Sequence, residues 1–141
     1  MGSTVVLEKS QAIWRLTLNR PEKRNALNQD MKQAFMSALE ECDSIGPDVL
    51  IISGAGDTFC AGQDLSERKS QTDFDLEASI RDFFAPLAMK IRRLECVTVA
   101  SVSGAASGAG ASIALLCDIV VASKDARFIQ PFLKLGLIPD M

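Results

Sequence analysis

The 141 residues include no histidine and no tyrosine. Without an imidazole, neither a Ser-His-Asp nor a Cys-His nucleophile pair can form within the chain. His-ligated zinc is excluded as well, and no other metal-ligand set is read from the sequence. Any general acid or base is therefore a carboxylate, a lysine or a cysteine. Cysteine is scarce: Cys42, Cys60, Cys96 and Cys117 form no CxxC pair, and three of them lie in apolar surroundings. Such usage reads as reduced core thiols of a cytoplasmic protein, not as a disulfide framework. No secretory signal is read in Met-Gly-Ser-Thr-Val-Val, and Val6 stands where a myristoylation pattern wants Ser or Thr. Charge of either sign is in little excess, with 15 Lys+Arg against 18 Asp+Glu. No basic stripe stands out, so nucleic acid is not an expected partner. The one long charge-free run, Val97 to Cys117, carries Thr98, Ser101, Ser103, Ser107 and Ser112 and glycines at 104, 108 and 110. That composition suits a buried strand, a tight loop and a helix, not a membrane span.

What is present is a globular composition, 48% hydrophobic and 23% charged, in a chain long enough to bury a core. Val5–Lys9 and Ile13–Leu18 read as two strands, the second ended by Pro21. Asn28 is placed to cap a helix whose apolar positions are Met31, Ala34, Phe35, Ala38, Leu39 and Cys42, a helical spacing. The continuous apolar run 49–53 reads as a buried parallel strand, followed by a loop from Gly54 to Leu65. Residues 66–75 are polar and read as a mobile segment. A second amphipathic helix runs from Leu76 to Leu94, with a kink expected at Pro86. Val97–Val102 is another buried strand, 103–107 a small-residue loop, and a helix starts near Gly108 or Ala109 and runs to about Leu116. Strands at 119–122 and 128–129 precede a loop over 135–139. Strands alternating with helices define an α/β architecture with right-handed crossovers. With no closing element after Asp140-Met141, the chain reads as an incomplete domain.

Two strand-to-loop-to-helix junctions carry the chemistry. They are Ala61-Gly62-Gln63-Asp64-Leu65 and Gly104-Ala105-Ala106-Ser107-Gly108-Ala109-Gly110. Small side chains there let a ligand approach the main chain. A helix beginning at Ala109 adds a partial positive charge. Two amides converging on one point would make an oxyanion hole. A dinucleotide fingerprint fails, because Ile113 occupies the third glycine position and no acidic residue follows at the right distance. A P-loop fails for want of Gly-Lys-Ser/Thr. Ser66-Glu-Arg-Lys69 matches S-x-x-K by chance, without its companion motifs.

Four segments together resemble the enoyl-CoA hydratase/isomerase family, also called the crotonase family. These are Asn19-Arg-Pro-Glu-Lys-Arg-Asn-Ala-Leu27, Phe59-Cys-Ala-Gly-Gln-Asp-Leu65, Gly104 through Gly110 to Cys117-Asp118, and Leu135-Gly-Leu-Ile-Pro-Asp140. They stand in the family's order and spacing and correspond to the N-terminal half of a family member. The resemblance implies a crotonase-like β-β-α spiral, with residues 1–141 as an N-terminal core and C-terminal helices lacking, which would leave apolar faces exposed. It implies a coenzyme A thioester as substrate and no cofactor beyond the coenzyme A that the substrate carries. It also implies a homotrimer or hexamer at full length. Carried over by motif, the oxyanion donors are the backbone amides of Gln63 and Ala109, the latter at a position where the family usually has glycine. Arg24, Ala26, Ala61, Gly62, Asp64, Leu65 and Gly108 would line the coenzyme A groove, with Arg24 placed to meet a phosphate.

Two glutamates serve the family's hydratases, and this chain has Ser112 and Phe132 in their places. Adding water needs a base for the water and an acid for carbon, so the resemblance points away from hydration. Asp140 is the remaining candidate base, with apolar neighbours such as Phe132 expected to raise its pKa. The similarity is greatest to the branch that isomerises 1,2-epoxyphenylacetyl-CoA and shifts enoyl-CoA double bonds. Asp64 and Asp118 read as organisers of their loops. The alternatives are a hydratase-like protein, and an inactive truncated member or acyl-CoA-binding fragment.

Overall fold

In a computed structural model, residues 2–66 and 75–139 are described. Strands β1 (Val5–Ser10) and β2 (Ile13–Leu18) form an antiparallel hairpin. Helix α1 (Gln29–Ile45) returns the chain to β3 (Val49–Gly54), which pairs parallel to β2. The Asn28 side chain accepts the Met31 amide, as a cap should, and Gly46 ends α1 in the left-handed region. Helical residues resume with α2 (Leu76–Ser79), a π-helical turn at Ile80–Phe84, and α3 (Ala85–Arg93). Strand β4 (Val97–Val102) pairs with β3, then β5 (Ala105–Ser107) leads into α4 (Ala109–Leu116). Strands β6 (Ile119–Ala122) and β7 (Arg127–Ile129) follow, and a 3₁₀ turn spans Phe132–Leu135. The main sheet runs β1-β2-β3-β4-β6, and β5 pairs with β7 in a second, two-stranded sheet. The α/β class and the parallel crossovers are those expected.

Alternation along the strands sorts the sheet into two faces. Trp14, Leu50 and Thr98 form one row across the register, and Leu16, Ile52 and Ala100 the next; all six are buried. Met31, Phe35, Leu39 and Cys42 of α1 complete that core with Leu87 and Ile91 of α3. The expectation of fully buried strands therefore holds for one face only. Ile51 and Val99 are half-buried, and all four residues of β6 are exposed. Phe128, Ile129 and Leu133 add to this exposed apolar surface.

Two local expectations are adjusted. Residues 103–107 hold the short strand β5, whose Ala-Ala-Ser sequence carries no strand signal; its pairing with β7 comes from tertiary contact. The second helix does not run as one α-helix to a kink at Pro86. It widens into the π turn just before, where the Ala85 amide donates to the Ile80 carbonyl. That registration accommodates the amide hydrogen that Pro86 lacks. Most of the polar segment 66–75 lies outside the described residues. No helix among the described residues is long and apolar enough to cross a membrane.

Two polar devices tie the strand ends together. Asp118, between α4 and β6, accepts from the Thr98 amide at 2.8 Å and the Thr98 hydroxyl at 2.7 Å, as its loop-organising role required. Asn25, fully buried, reaches from the loop after β2 to the loop after β3. Its Nδ2 donates to the carbonyls of Ala55 (2.9 Å), Thr58 (2.7 Å) and Phe59 (3.3 Å), and its Oδ1 accepts the Arg20 amide at 2.9 Å. Arg24 and Asn25 both sit at positive φ, 51° and 54°, a conformation asparagine adopts more readily than most residues.

Each device has a measurable consequence. Asn25→Ala leaves several buried carbonyls without a donor and is expected to lower stability by about 3 kcal/mol. Urea unfolding followed by circular dichroism measures this; a loss within error would mean that water replaces the amide. The Thr98 amide and hydroxyl hold the Asp118 carboxyl below its ordinary value of 3.8. Its stabilising effect is thus present above about pH 4 and is lost as the pH falls through the lower folded value. Asp118→Asn should flatten the acid limb of a stability–pH curve; an unchanged limb would assign it to other carboxylates.

Candidate functional site

The two glycine-containing junctions meet. Cys60 bridges Ala106 in parallel, its amide donating to the Ala105 carbonyl (3.2 Å) and its carbonyl accepting from Ser107 (2.9 Å). Leu27 bridges Gln63 in the same sense. Leu27 donates to Gly62 (2.8 Å), and Asp64 donates to Leu27 (3.1 Å). That pattern uses the groups flanking Gln63 and turns the Gln63 amide to the edge away from Leu27. On Gly62, a Cβ would lie 2.7 Å from the Ser107 carbonyl oxygen and 3.4 Å from the Ala109 nitrogen. Gly62, at φ +88°, is therefore required both for its backbone conformation and for the contact that brings Gln63 beside the start of α4. Gly110 is required for closeness alone, since a Cβ there would stand 2.2 Å from the Cys60 carbonyl oxygen.

Ala109 is the first residue of α4 and buried. Its amide is one of the helix's unpaired N-terminal donors. Among the described residues, neither the Gln63 nor the Ala109 amide has an acceptor. Two free donors next to one helix N-terminus can hold an oxygen that gains negative charge.

Ser112 and Phe132 lie close to the start of α4. Ser112 is buried and its hydroxyl donates back to the Gly108 carbonyl at 3.4 Å. Phe132, also buried, packs on Gly108, its Cζ 3.9 Å from where a Cβ would be. The Gly108 amide is fixed by the Ile129 carbonyl at 2.8 Å, which ties β7 to the start of α4. Asp140, the expected base, lies outside the described residues, and the 135–140 segment is described only to Pro139.

The remaining candidates sit around the bridge. Ala26 and Gly62 are buried, Ala61 is half-buried, and Arg24 and Leu65 are exposed. The Arg24 carbonyl accepts the Ala61 amide at 2.9 Å. Its guanidinium has no ion pair among the described residues. The Asp64 carboxylate, by contrast, is already engaged. Oδ1 accepts from the Ser66 hydroxyl (2.6 Å) and amide (3.0 Å), and Oδ2 pairs with Arg20 at 3.1 Å. Burial pushes its pKa up, but Ser66 and Arg20 together bring it below the usual 3.8, so it is an anion at neutral pH. Asn25 and Arg20 were not singled out by motif chemistry. Both lie within the Asn19–Leu27 segment, whose motif gives neither of them a role of its own. Cys60 is buried, its thiol donating to the Asn25 carbonyl at 3.2 Å, and burial pushes its pKa up to about 12. It is a packing thiol, not a nucleophile.

Known proteins resemble this chain in sequence and in fold. A family model described as enoyl-CoA hydratase/isomerase matches residues 8–141. The chain is 40% identical over 146 residues to the 1,2-epoxyphenylacetyl-CoA isomerase of Escherichia coli K12, covering 99% of this chain and 55% of that protein. It is 37% identical over 138 residues to the 2,3-dehydroadipyl-CoA hydratase of the same organism, covering 97% and 53%. The crystal structure of an enoyl-CoA hydratase/isomerase from Xanthobacter autotrophicus Py2 superposes with a TM-score of 0.88 at 31% identity, covering 96% of this chain and 52% of that one. The chain thus spans about half the length of the relatives it matches, and the relatives carry both isomerase and hydratase names. The crotonase-type fold is the one expected, and the chain belongs to the enoyl-CoA hydratase/isomerase family.

Proposed function

We propose that the complete protein binds an acyl-CoA thioester and isomerises it, moving a double bond or rearranging a ring epoxide, through a thioester enolate. The observation that carries this reading is the pair of acceptor-free amides at Gln63 and Ala109 beside the α4 N-terminus. In the reaction they hold the thioester oxygen. A base removes a proton alpha or gamma to the carbonyl, and the C–H electron pair flows through the thioester carbon onto that oxygen. The enolate collapses as the proton returns at a different carbon. Donors aimed at the developing charge lower this barrier most.

Asp140 is assigned as the proton carrier. A single carboxylate suffices for isomerisation, because the same group takes the proton and gives it back. Hydration requires an additional group to activate water. Ser112, its hydroxyl turned to a backbone carbonyl, and Phe132, a hydrocarbon ring, do not supply it. That contrast favours the isomerase over the hydratase reading. Arg24, Ala26, Ala61, Gly62, Asp64, Leu65 and Gly108 are assigned to the coenzyme A groove, Arg24 through a phosphate and the others mainly as walls and backbone. The protein is assigned to the cytoplasm, where thiols with pKa values raised by burial, such as Cys42 at about 11 and Cys117 at about 12, stay reduced. A homotrimer or hexamer is the proposed assembly of the complete protein.

The test is a 3-enoyl-CoA substrate followed by the absorbance of the conjugated 2-enoyl thioester. Turnover is expected, and Asp140→Asn should lower kcat by about 100-fold or more. Wild-type rates retained by the variant would remove Asp140 as the base. Hydration of a 2-enoyl-CoA as fast as isomerisation would overturn the isomerase reading.

A further inference from the structure

Resting on the oxyanion reading of Gln63, we propose that Arg20 is a positioning residue that sets the direction of the Gln63 amide. One guanidinium nitrogen, Nη1, donates to the Ala26 carbonyl at 2.6 Å and pairs with Asp64 Oδ2 at 3.1 Å. Ala26 immediately precedes Leu27, and Asp64 immediately follows Gln63. Leu27 and Gln63 are the two members of the parallel bridge. Arg20 therefore grips one residue on each side of the bridge whose geometry turns the Gln63 amide outward. Both partners are enclosed, with side-chain exposures of 14% for Arg20 and 10% for Asp64. An enclosed pair is little screened by salt, unlike a surface ion pair.

The rest of the environment makes this a clamp and not a tether. The Arg20 amide is fixed by Asn25 Oδ1, and the Arg20 carbonyl accepts from Asn25, so the residue is held at its backbone as well as its tip. Asp64 cannot swing away, because Ser66 holds its other oxygen from both amide and hydroxyl. The linkage runs from the end of β2, through Arg20, to the residue after the oxyanion donor. The Arg20 side chain bonds Ala26 and Asp64 and acts through them. A shift of about 1 Å in a catalytic donor can cost about 100-fold in rate.

The test uses Arg20→Gln, Arg20→Lys and Asp64→Asn, with two readouts. The first is kcat and KM for isomerisation. The expected result for Arg20→Gln and Asp64→Asn is a fall in kcat of about 100-fold with KM within about threefold, and partial recovery of kcat in Arg20→Lys, which keeps the charge but loses the planar fork. The second is amide hydrogen exchange in the free protein, which needs no turnover. The Leu27 and Asp64 amides, which close the bridge around Gln63, should exchange at least tenfold faster in the variants, while Phe35 and Leu39 amides in α1 keep their wild-type rates. If Arg20→Gln fails to fold, Asp64→Asn, of nearly equal volume, carries both readouts. Unchanged exchange at Leu27 and Asp64, or exchange raised equally in α1, would overturn the positioning role. An inactive wild type with the expected exchange pattern would instead count against the enolate reading and leave the clamp standing.

Discussion

The site depends on one constraint: two stretches of main chain, 59–63 and 104–110, pack with almost nothing between them. The contact of Gly110 with the Cys60 carbonyl, and of Gly62 with Ser107, leaves no room for a β-carbon at either glycine. Side chains at those points would separate the loops, and an oxyanion hole made of main-chain amides needs its donors within one oxygen's reach. The parallel bridges Cys60–Ala106 and Leu27–Gln63 satisfy the neighbouring carbonyls and amides, so the donors left over are those of Gln63 and Ala109. The polarity of the site thus results from which backbone groups the packing leaves unpaired.

Such close packing of loops has little apolar area of its own, so polar side chains hold it in place. Asn25 satisfies carbonyls in the loop after β3 from within the loop after β2, and Arg20 with Asp64 joins that same loop to the segment that carries Gln63. Both groups are buried, where an unpaired polar atom is costly and a paired one fixes a unique arrangement. The hydrophobic core beneath, with α1 and α3 on the inner face of the sheet, supplies the rigid base. The two glycine-containing junctions sit beyond the C-terminal ends of β3 and β4, where parallel strands release the loops that lead away from the sheet.

Much of this organisation is legible in the residues. The periodicity of Met31, Phe35, Leu39 and Cys42, and the capping Asn28, specify α1 because helical spacing and a cap are local signals. The hairpin, β3 and β4 are legible for the same reason, as short apolar runs bounded by turn residues. Strand β5 is not, because Ala-Ala-Ser has no preference for extended backbone and is held by β7 and Cys60, both distant in sequence. The π turn before Pro86 is not either, since proline announces a disturbed helix without saying how the hydrogen bonds rearrange. The half-burial of one face of β3 and β4 is not legible either, because an apolar run looks the same whether one face or both are covered.

The sequence by itself determined the family, the fold class and the two glycine-containing junctions, because these rest on local patterns: small residues where the main chain must be approached, and apolar spacing where a face must be buried. Only the tertiary structure decided that the Gln63 and Ala109 amides are left without acceptors, that Asn25 links the loops after β2 and β3, and that Arg20 grips both sides of the bridge. The physical reason is that hydrogen-bond satisfaction is a property of the whole fold. Whether a backbone amide is free depends on every carbonyl that could reach it, and those carbonyls come from strands far apart in the chain.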